Sequence, residues 1–332
     1  MVWAAGLDSE WAPGHLTGGR TLLADTDEFK QKFNVTPFMF NHDLANSSLF
    51  SLPRMAEVAS RMLARGSDKD VVMRAGKSNL ADAKFSSMPL KERLAETIRR
   101  LADETVWLKL TSADTADPEY DELRRQVLRE VEEMSGQPLR SSITWSSLTV
   151  FAASPKILTP YHIDHESNFL LQIRGAKQIS LFDPNDSAIV PDDQIERFYA
   201  GDFEAAQYRS ELQARAYEFQ LEPGKVVHHP PLAPHWVRNG NDVSVSVSIG
   251  FCLRPFDRRA RVHQVNYFLR RFGLKPTPPG RSAVRDQLKM AGMGMISKSN
   301  ATTPNDILFS GISRLLAPPR AVKRLLKSLR RS

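Results

Sequence analysis

The residues best placed to do chemistry lie in "ILTPYHIDHESNFLLQIRGAKQISLFDP", Ile157 to Pro184, where His162 and Asp164 stand one residue apart. An imidazole nitrogen and a carboxylate oxygen both ligate divalent ions at about 2.0–2.2 Å, and alternate residues of a strand share a face, so His-x-Asp can present two ligands to one ion. A mononuclear site needs a third. The stretch "LEPGKVVHHPPLAPHWVRNG" offers His228, His229 and His235, and His165 lies nearer. Two histidines and one carboxylate on one face of an octahedron leave three positions open, the arrangement of non-haem Fe(II) oxygenases. Taken alone, the pair reads more readily as a hydrogen-bonded polar patch on a strand.

The elements that must position these residues are short. From about Ser141 the chain turns to β-like runs separated by turn residues: "SITWSSLTVFAA", "NFLLQI", "KQISLF", "AYEFQL", "KVVHH" and "DVSVSVSIGF". That many short strands predict a sandwich or barrel. In "VSVSVS", Val243, Val245 and Val247 fall on one face and Ser244, Ser246 and Ser248 on the other, so one side meets a core and the other something polar. Upstream, "PRMAEVASRMLARG", "PLKERLAETIRRLADETV" and "DPEYDELRRQVLREVEEM" carry helical apolar spacing, with "TVWLKL" as a candidate strand. Downstream, helical periodicity returns in "DRRARVHQVNYFLRRFG", and further helices are expected after "KPTPPG".

The 332 residues, 41% apolar, suffice for a sizeable core and a smaller accessory region. The single cysteine, Cys252, excludes an intramolecular disulfide and a thiolate cluster. With no secretory leader or membrane-length apolar run, a cytoplasmic location is expected. The net charge of +7 is uneven. Residues 254–332 carry 18 Lys and Arg against Asp257, Asp286 and Asp306, a balance of +15 that leaves the first 253 residues at −8.

Together, "TPYHIDHESNFLLQIRGAK" and "EPGKVVHHPPLAPHWVRNG" resemble the two halves of the Jumonji C (cupin-like) group of Fe(II)- and 2-oxoglutarate-dependent oxygenases, closest to its protein (asparaginyl-type) hydroxylase branch. The likeness covers roughly residues 141–255, with Thr, His-x-Asp, Asn, Gln, Ile-basic-Gly-x-Lys, Pro-Gly, a distal His and a final strand in order. It implies a mainly β core with flanking helices, a double-stranded β-helix of the jelly-roll, cupin-like type. That core would span residues 141–255, between a mixed helical region 1–140 and a basic helical region 256–332.

Carried over residue by residue, the resemblance makes His162, Asp164 and His235 the iron ligands, His235 standing twelve residues beyond Pro223 of the Pro-Gly turn. His228 and His229 become strand residues with a structural or surface role. His165, pointing away from Asp164 by alternation, is no ligand. Lys177 matches the lysine that binds the distal carboxylate of 2-oxoglutarate, and Thr159 a hydroxyl donor to the same group. Asn168 matches an amide near the chelating end, and Ser248 a position that relatives fill with Asn or another small polar residue. Two departures stand out. Lys225 follows the Pro-Gly turn where an acid is common, and "SSITWSSLTVFAA" lacks the tyrosine that some relatives direct at the co-substrate.

The activity so implied is hydroxylation of a C–H bond, of a protein or peptide side chain, with O2 and 2-oxoglutarate consumed and succinate and CO2 released. A small-metabolite hydroxylase is the same chemistry on another substrate. A cupin-type metalloprotein without the co-substrate would tolerate Lys177→Ala. A non-catalytic binding or regulatory module would tolerate His162→Ala. In the tail "RAVKRLLKSLRRS", Ala321, Val322, Leu325, Leu326 and Leu329 recur at helical spacing among basic residues. The expectation there is a terminal helix docked on its own domain or on a second subunit, and the resemblance favours a homodimer, since relatives dimerise through C-terminal helices. Nucleic acid or an anionic membrane is the sharper but less favoured partner.

Overall fold

Strand alternation buries a residue only if a second sheet covers its face, and two sheets are what the chain builds. The computed structural model describes residues 21–75, 86–87, 94–103, 105–298 and 304–316. Its strands are β1 (Phe38–Asn41), β2 (Val71–Ala75), β3 (Ser86–Ser87), β4 (Val106–Leu110), β5 (Ile143–Ala153), β6 (Leu158–His162), β7 (Ser167–Arg174), β8 (Lys177–Leu181), β9 (Tyr217–Leu221), β10 (Lys225–His229), β11 (His235–Asn239) and β12 (Ser244–Leu253). The larger sheet runs β1-β10-β7-β12-β5-β4-β2-β3 and the smaller β6-β11-β8-β9. All pairings are antiparallel. Leu170 of β7 and Val227 of β10 pack with Ile179, Leu181, Leu221 and Val237 of the smaller sheet, so one apolar core lies between the two inner faces. This is the expected double-stranded β-helix.

The serine and valine faces of β12 separate as alternation requires. Val245 and Val247 are buried opposite Ala152 and Val150 of β5, while Ser246 and Ser248 lie opposite Phe151 and Thr149. On the outer face of the larger sheet, Phe29, Phe33, Phe38, Phe40, Phe169 and Phe251 stack around His228.

Helices α1 (Phe29–Lys32), α2 (Leu52–Ala64), α3 (Leu94–Arg99), α4 (Pro118–Ser135) and α5 (Leu139–Ser142) flank the sheets. Helix α4 starts where Asp117 caps the Glu119 N–H with Pro118 in the first turn, and stops at Gly136, φ +66°. The Asp117 side chain is wholly buried and pairs with Arg54 at 2.7 Å and Arg61 at 2.6 Å, both on α2. Arg124 of α4 reaches Asp114 at 3.4 Å, and Asp114 accepts the Leu148 N–H of β5 at 2.8 Å. The flanking helices are thereby tied to the strand that lies beside β12.

Among the described residues, 191–205, 255–298 and 304–316 form a second compact unit. It contains α6 (Asp192–Tyr199), most of α7 (Arg254–Arg271), α8 (Ala283–Ile296) and α9 (Pro304–Leu316). Within it the buried Glu196 takes both arms of Arg270, at 2.7 and 2.9 Å, and the Gln264 amide donates to the carbonyls of Tyr199 and Leu308. Helices α8 and α9 are those expected after "KPTPPG". The basic run around Ala321 to Leu329 lies outside the described residues. Among these, no helix is long and apolar enough to cross a membrane.

Candidate metal centre

His162 closes β6 and His235 opens β11, and the two are directly opposite in the ladder. Their ring centroids are 4.1 Å apart. Each ring is oriented by its own backbone. His162 Nδ1 bonds the Pro160 carbonyl at 2.7 Å and His235 Nδ1 the Ala233 carbonyl at 3.0 Å. Both Nδ1 atoms are therefore the protonated donors, which leaves the Nε2 lone pairs free. Those two atoms lie 3.6 and 3.7 Å from Asp164 Oδ2.

Alternation along a strand is not what places Asp164. Strand β6 ends at His162, and Asp164 sits in the turn before β7, a correction to the sequence expectation of one shared strand face. A cross-link holds that turn: the Leu232 N–H donates to the Asp164 carbonyl at 2.8 Å. Leu232 takes the left-handed φ of +63°, an uncommon conformation for a branched side chain, within the segment Pro230 to Pro234 that leads into His235. The two halves of the motif are joined at that bond.

The ligand atoms of His162, Asp164 and His235 all lie within 4.8 Å of one another. Three facial ligands around an ion at 2.0–2.2 Å need to be about 3 Å apart, and the two histidine-to-carboxylate sides, at 3.6 and 3.7 Å, are within an ångström of that. Among the described residues, the only groups of opposite charge type within 4.0 Å of the Asp164 carboxylate are the two imidazoles. Free lone pairs, a neutral donor set and one carboxylate fit a divalent ion. His162 and Asp164 are about one-third exposed, whereas His235 is buried, so the centre opens on one side.

Thr159 reaches the same face through an irregularity. His235 pairs with His162 and Val237 with Thr159, so two steps on β11 match three on β6. The extra residue is a bulge, and it carries Pro160, which has no N–H to offer the ladder of this edge strand. Leu158 and Tyr161 then pack on the opposite face with Phe182, Ile189 and Trp236.

Lys177 begins β8, opposite Leu221 of β9 and Asn239 of β11. It therefore shares the inner face with Ile179 and Leu181, the latter opposite His235. The four steps from Leu181 to Lys177 span about 13 Å of strand, a length that a lysine side chain and a short dicarboxylate can together cover. Lys177 is buried, and no anion or hydrogen-bond acceptor meets it among the described residues. Burial alone lowers its pKa to about 7.

Asn168 and Ser248 lie on the inner face of the larger sheet. Asn168 is opposite His229 and Ser248 opposite Leu170. The Ser248 hydroxyl donates to Asn168 Oδ1 at 2.7 Å, which orients the amide and leaves its Nδ2 as a free donor. Thr149, opposite Ser248, adds a hydroxyl to this layer where the expected tyrosine is missing.

His228 and His229 part company. His228 faces outward, stacks on Phe33 and Phe169, donates from Nδ1 to the Asn168 carbonyl and accepts the Asn34 N–H at Nε2. Its structural role is as expected, though buried rather than at the surface. His229 faces inward beside the metal centre, its ring 4.7 Å from that of His235. The signal for this was legible: adjacent residues of a strand face opposite ways, so only one of the pair can be structural on the outer face. His165 is absent from the triad.

Comparison with known proteins gives two kinds of likeness. Across solved structures, the ribosomal oxygenase YcfD from Escherichia coli is similar at 15% identity and a TM-score of 0.47, over 92% of this chain and 70% of that one. The same enzyme in complex with cobalt and 2-oxoglutarate gives 15% and 0.48 over 92% and 70%. No curated protein sequence matches. The profile of the cupin-like domain matches residues 27–251, two-thirds of the chain. On that match, the chain belongs to the cupin-like domain family.

Proposed function

We propose that this protein is an Fe(II)- and 2-oxoglutarate-dependent oxygenase that hydroxylates a C–H bond, of a protein or peptide side chain. One observation carries the reading. A convergent two-histidine, one-carboxylate set occupies one end of an inner face whose other end holds a buried lysine with no counter-ion among the described residues.

His162, Asp164 and His235 would hold the ion, the Nε2 atoms of both rings lying nearest to Asp164 Oδ2. Bound Fe(II) with 2-oxoglutarate supplies the oxidant for C–H hydroxylation, with succinate and CO2 as co-products. The chain's own residues bind and orient. Lys177 pairs with the distal carboxylate, a contact strengthened by burial, and Thr159 donates its hydroxyl to the same group. The Ser248 hydroxyl holds Asn168 Oδ1, so the amide Nδ2 would be the atom offered to the chelating end of the co-substrate. Leu170, Val227, Ile179 and Val237 keep water from the interior between these ends. The one-third exposure of His162 and Asp164 supports a substrate presented from outside, as a side chain on a polypeptide would be.

The test is succinate release with Fe(II), ascorbate and a peptide panel, followed by the mass of the product formed in cell extract. A gain of one oxygen atom that depends on 2-oxoglutarate is expected. Failure of the protein to bind either Fe(II) or 2-oxoglutarate sinks the reading.

Self-association through the C-terminal helices is the partner reading. It is supported by the exposure of Phe272 (80%) and Met295 (85%), with Leu274, Val284 and Leu288 also exposed on the same unit. Sedimentation should give a dimer, which Phe272→Glu with Met295→Glu reduces to a monomer. A monomeric unsubstituted protein would rule it out.

A further inference from the structure

His229 takes no part in the functions assigned above. It ends β10, is 4% exposed, and neither ring nitrogen has a hydrogen-bond partner among the described residues. A buried imidazole carries one N–H and one lone pair, and leaving both unmet is costly enough that such a group signals a partner yet to arrive. Its neighbour His228, equally buried, has both nitrogens satisfied.

Three placements say what that partner is. His229 is directly opposite Asn168 across the β10 and β7 ladder, on the inner face with Val227 and Leu170. Its ring meets that of His235 at 4.7 Å, nearly at right angles. It is not a fourth member of the metal group, whose mutually close ligand atoms are those of His162, Asp164 and His235 alone. His229 and Asn168 therefore put two donors side by side on the inner face near His235, and Lys177 stands on the facing sheet four residues along its strand from Leu181, the partner of His235.

We infer that His229 is a co-substrate-binding residue: one ring N–H donates a hydrogen bond to the metal-chelating end of a 2-oxo acid, beside the Asn168 amide. This rests on the function proposed above. The 2-oxo acid is then held by donors at both ends.

The experiment uses the full chain loaded with Co(II), titrated with 2-oxoglutarate and followed by calorimetry, for the unsubstituted protein, His229→Leu and His229→Gln. Losing one hydrogen bond to an anion should weaken 2-oxoglutarate binding about tenfold or more in His229→Leu. His229→Gln, which keeps a donor, should recover part of that loss, with Co(II) affinity unchanged in both. Equal 2-oxoglutarate affinity in all three overturns the inference while leaving the oxygenase reading intact. A fall in Co(II) affinity makes His229 a direct ligand and also overturns it. Absence of 2-oxoglutarate binding by the unsubstituted protein sinks the oxygenase reading and this inference with it. A measurement without substitution guards against a variant that does not fold. In the Zn(II)-loaded, imidazole-15N-labelled protein, the His229 N–H should become slow to exchange only when 2-oxoglutarate is added, and no change on addition counts against the bond.

Discussion

Thr159 and His162 are three residues apart on one strand yet face the same side of the sheet, because the bulge at Pro160 inserts a residue that β11 does not match. Without it, Thr159 would share its face with Tyr161 and look away from the metal end. Thr159→Val should therefore weaken 2-oxoglutarate binding by roughly 1 kcal/mol, the net worth of one hydrogen bond, with the melting temperature nearly unchanged. Tyr161→Phe, on the outer face, should leave binding as it was. Calorimetry on both variants checks the parity, and the reverse pattern would refute it.

Metal binding should be visible in stability. An ion bound only by the folded state raises its stability in proportion to the logarithm of ion concentration over Kd. Added Co(II) should raise the melting temperature of the unsubstituted protein, and a chelator should reverse the rise. In His162→Ala and His235→Ala the shift should vanish while both variants still fold. Persistence of the full shift in either variant would exclude that residue as a ligand.

The role proposed for Lys177 ties co-substrate binding to protons. Its pKa in the free pocket is lowered to about 7 by burial. At pH 8 it is largely neutral, and pairing with a carboxylate restores its charge, so binding should take up nearly one proton. Near pH 6 it is already charged, and uptake should disappear. Binding enthalpies in buffers of different ionisation heat measure this directly. Lys177→Met should abolish the uptake and weaken binding.

His228 predicts an acid limb in the stability curve. Burial lowers its pKa from 6.5 to about 3. Because the folded value lies below the unfolded one, its contribution is fully present above pH 6.5 and is lost as pH falls toward 3. Protonation would also displace the Asn34 N–H from Nε2. His228→Phe should be less stable at pH 7, because it leaves that N–H without its acceptor, but its stability should fall less steeply with acid. Urea midpoints across the range decide it, and parallel curves would contradict the assignment.

Gly175 holds the hairpin that delivers Lys177. Its φ is +68°, and an added Cβ would stand 2.5 Å from the Val243 carbonyl oxygen. Gln172 donates to the carbonyls of Arg174 and Gly175, which fixes the turn. Gly175→Ala should cost roughly 2–4 kcal/mol, since both the left-handed backbone and a rigid backbone neighbour oppose it. A loss under 1 kcal/mol in urea unfolding would mean that the turn relaxes.

The sequence by itself determined the local grammar of this protein. Strand alternation marked the serine face of β12 and turn residues marked the hairpins, because each of these depends on neighbours a few residues away, whereas the ordered set of Thr159, His162, Asp164, Asn168, Lys177 and His235 was readable only through its resemblance to a family. Tertiary structure alone decided what depends on which strand pairs with which. The bulge that turns Thr159 inward is a mismatch between β6 and β11. The placing of Asp164 rests on an N–H from Leu232, far along the chain. That His229 has no hydrogen-bond partner among the described residues follows from what its neighbours on other strands fail to offer. Pairing, register and the absence of a partner are relations between segments, and a single strand's pattern holds no record of them.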